Sequence, residues 1–111
     1  MIKVRTSAGI LCLFDPSVVT IDDIEVPLTE KEFQCLWRIA SCVGTAVKKE
    51  VVMDHLYGSS GYWPDPKILD VFICHIRKKF KSIAGSDPIK TVRRRGYIIY
   101  EVPAADGIST S

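Results

Sequence analysis

The sequence predicts a single α+β domain in which an antiparallel sheet opens the chain, three helices follow, and a β-hairpin closes it. Three observations carry this. Four short β-prone runs, separated by turn signals, fill residues 1–27. Two helix-start signals, Thr29-Glu30-Lys31-Glu32 and Asp65-Pro66, each precede apolar residues at three- and four-residue spacing. Two further β-prone runs are joined by Arg93-Arg94-Arg95-Gly96. At 111 residues, 47% of them hydrophobic, one core must carry the fold. The expected bounds are one domain over 1–103, with its sheet in 1–27, helices in 29–83 and hairpin in 88–102. A flexible tail is expected over 104–111.

The opening runs are Ile2 to Arg5, Ile10 to Phe14, Val18 to Ile21 and Ile24 to Val26. Ser-Ala-Gly, Asp-Pro-Ser and Asp22-Asp23 separate them, so an antiparallel meander is predicted with a tight last turn. Pro27 ends the final strand because it has no amide to donate.

Thr29 and Glu32 have the spacing of a capping box, in which hydroxyl and carboxylate satisfy each other's backbone amides. Phe33, Leu36, Trp37, Ala40 and Val43 then form an apolar stripe, and Gly44 supplies a left-handed stop. A shorter helix is expected from about Lys48 to Leu56, broken by Gly58. The stretch from Gly58 to Pro64 is a loop by composition, yet it carries Tyr62 and Trp63, which either pack back on the domain or wait for a partner. Asp65 as N-cap and Pro66 in the first turn start the third helix, which runs to about Ile83. Leu69, Phe72 or Ile73, Ile76 and Phe80 give it a buried stripe. Lys67, Val71, Cys74, His75, Lys78, Lys79 and Lys81 occupy the remaining arc. After the Asp87-Pro88 turn, Ile89 to Val92 and Tyr97 to Val102 form the arginine-tipped hairpin.

Charge is distributed unevenly. The whole chain carries +2, but residues 66–100 hold nine Lys or Arg against Asp70 and Asp87, a net +7, which leaves −5 on the remainder. A basic segment on a mildly acidic scaffold suits a polyanion, because clustered cations release the counterions condensed on phosphates. A solvated charged helix face is the bland alternative.

Other function classes find no support. There is no glycine-rich phosphate loop, no activated Ser or Cys motif and no carboxylate pair beside an apolar pocket signature, so an enzyme is not expected. Cys12, Cys35, Cys42 and Cys74 contain no Cys-x-x-Cys pair and are read as buried or half-buried free thiols. His55 and His75 lack acidic or cysteine neighbours at ligand spacing, and neither a metal nor a cofactor is expected. No apolar run approaches the roughly 20 residues that span a bilayer, and Met1-Ile2-Lys3-Val4-Arg5 lacks a signal-peptide core, so a cytoplasmic location without membrane contact is predicted.

A short helix, a turn and a long basic helix followed by an arginine-tipped hairpin suit duplex DNA. The major groove admits one helix and the narrow minor groove attracts an inserted arginine. Leu28 to Phe33, His55 to Gly58, Lys67 to Phe80 and Thr91 to Tyr97 also resemble the effector domain of OmpR/PhoB-type response regulators. The likeness covers about residues 1 to 102, and within it Asp70 to Phe80 and His55 to Gly58 look most like that family's cell-cycle regulators. The resemblance implies a winged helix-turn-helix that binds direct-repeat half-sites of double-stranded DNA as a head-to-tail dimer in transcription regulation.

Carried over residue by residue, it puts Lys67, Ile68, Val71 and His75 at base edges, with Ile68 and Val71 placed for thymine methyls. Cys74, Arg77, Lys78 and Thr91 match backbone-facing positions, and Arg93 matches the wing arginine of the minor groove. Arg94 and Arg95 are assigned to phosphates. Tyr97 matches a phosphate-contacting or wing-packing tyrosine, and the Tyr62–Trp63 loop a contact with RNA polymerase.

The departures also matter. His75 stands where Arg or Lys is usual, Lys48 where a Ser or Thr cap is common, and the wing holds three arginines where one is usual. The receiver domain of a full response regulator is missing, which fits an excised effector domain or a stand-alone regulator equally. The rival reading is a winged-helix protein-interaction module without DNA binding.

Overall fold

The computed structural model describes residues 1–103; the tail expected over 104–111 lies outside the described residues. The opening meander is present as β1 (Ile2–Thr6), β2 (Gly9–Phe14), β3 (Val18–Ile21) and β4 (Ile24–Glu25), paired antiparallel in chain order. Alternation does the positioning. Val4, Leu11, Leu13, Val19 and Ile21 are buried on the helix-facing side. Asp22 and Asp23 both adopt left-handed φ (51° and 69°), as the two-residue turn between paired Ile21 and Ile24 requires. The Asp22 carboxylate accepts the Ile10 amide at 2.8 Å, tying that turn to the neighbouring strand.

Helix α1 (Glu30–Ala40) begins at the capping box: the Glu32 amide donates to Thr29 Oγ1 at 3.2 Å and the Thr29 amide donates to Glu32 Oε1 at 3.0 Å. It ends earlier than the apolar stripe through Val43 suggests. The Ser41 hydroxyl donates to the Arg38 carbonyl at 2.8 Å and the Cys42 amide turns back to Ile39, which closes the last turn. Gly44 is left-handed (φ 84°) and its amide donates to Ile99 O, so it links the helix end to the hairpin.

Helix α2 (Lys49–Tyr57) starts at Lys48 without a side-chain cap. Helix α3 (Ile68–Ala84) is entered through a tight turn, in which Asp65 Oδ1 accepts the Lys67 amide at 2.9 Å and the Asp65 carbonyl accepts that of Ile68; regular helix begins three residues after Asp65. Leu69, Ile73, Ile76 and Phe80 are buried, while Phe72 is half-buried. They meet Phe33, Leu36 and Ile39 of α1 and Val52 and Met53 of α2 in one core with the sheet. Cys12 and Cys35 are buried and Cys42 half-buried, whereas Cys74 is exposed, contrary to its expected burial.

The hairpin pairs β5 (Ile89–Val92) with β6 (Gly96–Ile99). Its second strand stops short of Val102 because Ile89 faces Ile99 and the residue before it, Pro88, has no amide to continue the ladder. Val47 extends the hairpin on its other side, exchanging both backbone hydrogen bonds with Tyr97 (2.8 and 3.0 Å). A Cβ on Gly96 (φ 118°) would run into the Val47 carbonyl, so this close approach requires glycine. Beyond β6 the Val102 amide donates to Arg5 O at 2.8 Å, returning the chain to β1.

Candidate nucleic-acid interface

Helix α3 has two exposed flanks and a crest. Burial of Leu69, Ile73, Ile76 and Phe80 turns Lys67, Val71, Cys74 and Lys78 outward along one stripe, each exposed. Val71 is 45% exposed, an apolar side chain that the fold leaves uncovered in the middle of a basic face. His75 lies on the flank toward α1. Ile68 is half-buried against the core, so only part of its side chain reaches the surface.

The opposite flank faces the hairpin, and between them lies a groove of about 900 Å³. Its walls are Cys74, Arg77, Lys78 and Lys81 from α3, Thr91 to Tyr97 from the hairpin, and Lys48, Lys49 and Glu50 at the start of α2. Eight cations line it against Glu50 and Asp70, a net charge of +6. The arginine tip is a three-residue loop in which the Arg95 amide donates to Val92 O at 2.9 Å, and Arg94 takes a left-handed φ of 64°. All three arginines are exposed.

Two carboxylates brace the groove. Asp70 Oδ1 accepts from Lys49 Nζ (3.0 Å) and from the Tyr97 hydroxyl (2.9 Å), joining α3 to α2 and to the hairpin. The hydrogen bond from Lys49, then that from Tyr97, holds the Asp70 carboxyl below its ordinary range. Burial, reinforced by Asp70, pushes the Tyr97 phenol well above its own. Tyr97 is therefore a packed hairpin residue with its hydroxyl occupied inside the domain. Asp87 forms an ion pair with Arg77, its Oδ1 lying 3.5 Å from Nε.

Arg77 is similarly engaged. Its guanidinium donates to Thr91 Oγ1 at 2.7 Å and to Ile89 O at 3.2 Å, fastening β5 to α3. The resemblance gives Arg77 and Thr91 a backbone-facing role; the structure joins the two to each other.

On the α1 flank, Glu32 is nearly fully buried. Its Oε1 accepts from Lys79 Nζ at 2.7 Å as well as from the Thr29 amide, and its Oε2 lies 3.3 Å from His75 Nδ1. Burial favours the neutral acid, but the Lys79 hydrogen bond, the Thr29 amide and the charges of Lys79 and His75 outweigh it and depress the carboxyl's pKa. Burial and the Glu32 charge push the neighbouring Cys35 thiol up to about 12, which makes it an inert core residue. His75 thus has an acidic neighbour that residue spacing did not disclose.

Tyr62 and Trp63 stand apart from the groove. The Ser60 hydroxyl donates to the carbonyls of Tyr57 and Tyr62 and accepts the Tyr62 amide, shaping the loop backbone. The two residues remain 68% and 46% exposed.

Sequence reasoning missed Lys48, Lys49 and Lys81 in the groove, the bracing roles of Asp70 and Asp87, and the contacts of Glu32 with His75 and Lys79 on the other flank. Lys48 and Lys49 were legible as a lysine pair at a helix start, a place where backbone amides also face outward. Among the described residues no group of three metal-ligating side chains comes together, and no helix is long and apolar enough to cross a membrane.

A helix–turn–helix pair whose second helix borders a basic groove, closed by a β-hairpin on the far side, defines the winged helix-turn-helix class. Comparison with known proteins gives the family. Residues 23–99 match the family described as transcriptional regulatory protein, C terminal, and the chain belongs to it; it is a family of transcriptional regulators and not of enzymes. The chain is 39% identical over 103 residues to the cell cycle response regulator CtrA of Brucella anthropi, covering 92% of this chain and 44% of that protein. The corresponding protein of Brucella ovis is 38% identical with the same coverage. The chain thus spans less than half the length of these relatives.

Solved structures agree with the fold. The C-terminal domain of the nisin resistance regulator NsrR superimposes with a TM-score of 0.70 at 27% identity, covering 89% of this chain and 99% of that one. The Klebsiella pneumoniae RstA DNA-binding domain in complex with RstA box gives 0.65 at 26% identity, with 88% and 96% covered. The DNA-binding domain of CpxR from E. coli gives 0.70 at 25% identity, with 91% and 98% covered.

Proposed function

We propose that the chain is a sequence-specific, double-stranded DNA-binding effector domain in transcription regulation. The +6 groove between α3 and the hairpin, bordered by the uncovered Val71, carries this reading. A helix fits the major groove, which is about 12 Å wide, and the ridge beside it is a sugar–phosphate strand. With α3 in the major groove, that strand lies in the basic groove against Lys48, Lys49, Lys78, Arg94 and Arg95, beside Cys74. Arg93 enters the adjacent minor groove. Lys67, the exposed part of Ile68, Val71 and His75 then face base edges. Family membership supports the same reading, as does the bound state of the RstA domain.

The finer parts of the proposal extend the resemblance. Two copies bind direct-repeat half-sites head to tail, the exposed Tyr62–Trp63 loop contacts RNA polymerase, and the domain works in the cytoplasm as the output part of a phosphorelay. The test is binding to a selected duplex and to a scrambled one at several salt concentrations. Each phosphate contact contributes about −0.9 to the slope of log K against log salt. A slope of several units with tighter binding to the selected site is expected. A slope near zero, or no duplex binding, favours the rival protein-interaction module.

A further inference from the structure

We propose that Glu32 sets what His75 can read, presenting the imidazole to the major groove as a hydrogen-bond acceptor that selects a base with an exocyclic amino group. The inference rests on the DNA-binding reading and deepens it. Glu32 is anchored by two bonds to one oxygen: Oε1 takes Lys79 and the Thr29 amide, which leaves Oε2 facing His75 Nδ1 at 3.3 Å. The carboxylate is buried and held ionised, and the helix start it caps is fixed, so its position does not depend on DNA.

An anion beside Nδ1 favours the proton on that nitrogen, and the partner of one ring nitrogen decides the role of the other. Nε2 lies on the far side of a ring whose side chain is 53% exposed and which sits on the flank of the outward stripe of α3. With the proton on Nδ1, Nε2 carries a lone pair and no hydrogen. In the major groove adenine N6 and cytosine N4 are donors, whereas guanine O6 and N7 and thymine O4 are acceptors. A lone-pair reader therefore selects adenine or cytosine, the opposite of what a cationic arginine or lysine selects. Glu32 never touches DNA in this scheme; it is a positioning residue acting through His75.

Two measurements at pH 8 test this on the whole chain. Nitrogen-detected imidazole spectra of the free protein are expected to show His75 protonated on Nδ1; the Nε2-protonated tautomer overturns the proposal. Selection of bound duplexes from a random pool is expected to reveal one base position, lost in His75→Ala, at which adenine or cytosine is favoured about tenfold. Guanine at that position overturns the proposal.

In Glu32→Gln the amide oxygen still caps Thr29, which leaves the amide nitrogen facing Nδ1 as a donor and favours the proton on Nε2; the preference for adenine or cytosine at that single position is expected to be lost or reversed while the others persist. Lys79→Met breaks the link between α1 and α3 yet leaves the carboxylate facing Nδ1, and it is expected to keep the preference. Equal loss at all positions in Glu32→Gln, or no change there, overturns the positioning role. Failure of the unaltered chain to bind any duplex refutes the DNA reading itself, and the tautomer measurement is independent of that outcome.

Discussion

Replacing Arg94 with glycine separates the stability of the wing from its affinity. Arg94 is the third residue of the turn Val92–Arg95 and holds a φ of 64°, a place that favours glycine. A side chain in the left-handed region costs about 1–2 kcal/mol, and glycine gives back about 0.5–1 kcal/mol through the greater freedom of its unfolded chain. Arg94→Gly is therefore expected to stabilise the domain by about 0.5–1 kcal/mol, raising Tm by about 2–8 °C in a protein of this size. The same change deletes one of the eight cations lining the groove. Duplex affinity is expected to fall, and the log K against log salt slope to become shallower by about 0.9. Calorimetry and fluorescence anisotropy on one preparation read both effects. A lower Tm refutes the strain, and an unchanged salt slope refutes the placing of Arg94 against a phosphate.

Gly96→Ala drives a Cβ into the Val47 carbonyl and is expected to cost about 2 kcal/mol or more, read from urea unfolding midpoints. The Glu32 carboxyl has a folded pKa below its ordinary 4.5, so its contribution to stability is present above that pH and is lost as pH falls through the lower folded value. Glu32→Gln should accordingly flatten the decline of stability below about pH 4.5 in acid titrations followed by circular dichroism. Val71→Ala is expected to lower the ratio of specific to nonspecific affinity by about 1 kcal/mol at one base pair, whereas Arg94→Ala with Arg95→Ala weakens all duplexes alike and removes about two units of salt slope. Tyr62→Ala with Trp63→Ala should leave Tm nearly unchanged, because both residues are exposed and neither packs against the core; a fall of several degrees would show that they pack.

What could be foreseen from the sequence was mostly local. Thr29 and Glu32 lie three residues apart, and their mutual capping follows from that spacing alone. The buried stripe of α3 follows from helical periodicity, and the tight turn at Asp22-Asp23 from its composition. The second occupation of Glu32, by Lys79 and His75, joins residues more than forty positions apart and leaves no periodic trace. Arg77 shows the same limit: a basic residue on a basic helix looks free until β5 arrives to accept its hydrogen bonds. For Cys74 two sequence signals disagree: its apolar neighbours suggest burial, whereas the helical phase set by Leu69, Ile73 and Ile76 puts it on the outward arc, where it lies exposed.

The bond from the Val102 amide to Arg5 O makes the described chain nearly a closed ring. Drawing together two points so far apart along a flexible polymer costs about 4 kcal/mol of entropy, and that cost grows only as the logarithm of the separation. The strand that begins the domain therefore cannot gain this neighbour until the hairpin has docked, so this tie belongs among the last formed in folding and the first released in partial opening. Joining residues 1 and 103 by a peptide would remove much of the closure entropy from the unfolded state, and none of the residues that line the groove lies in either joined segment.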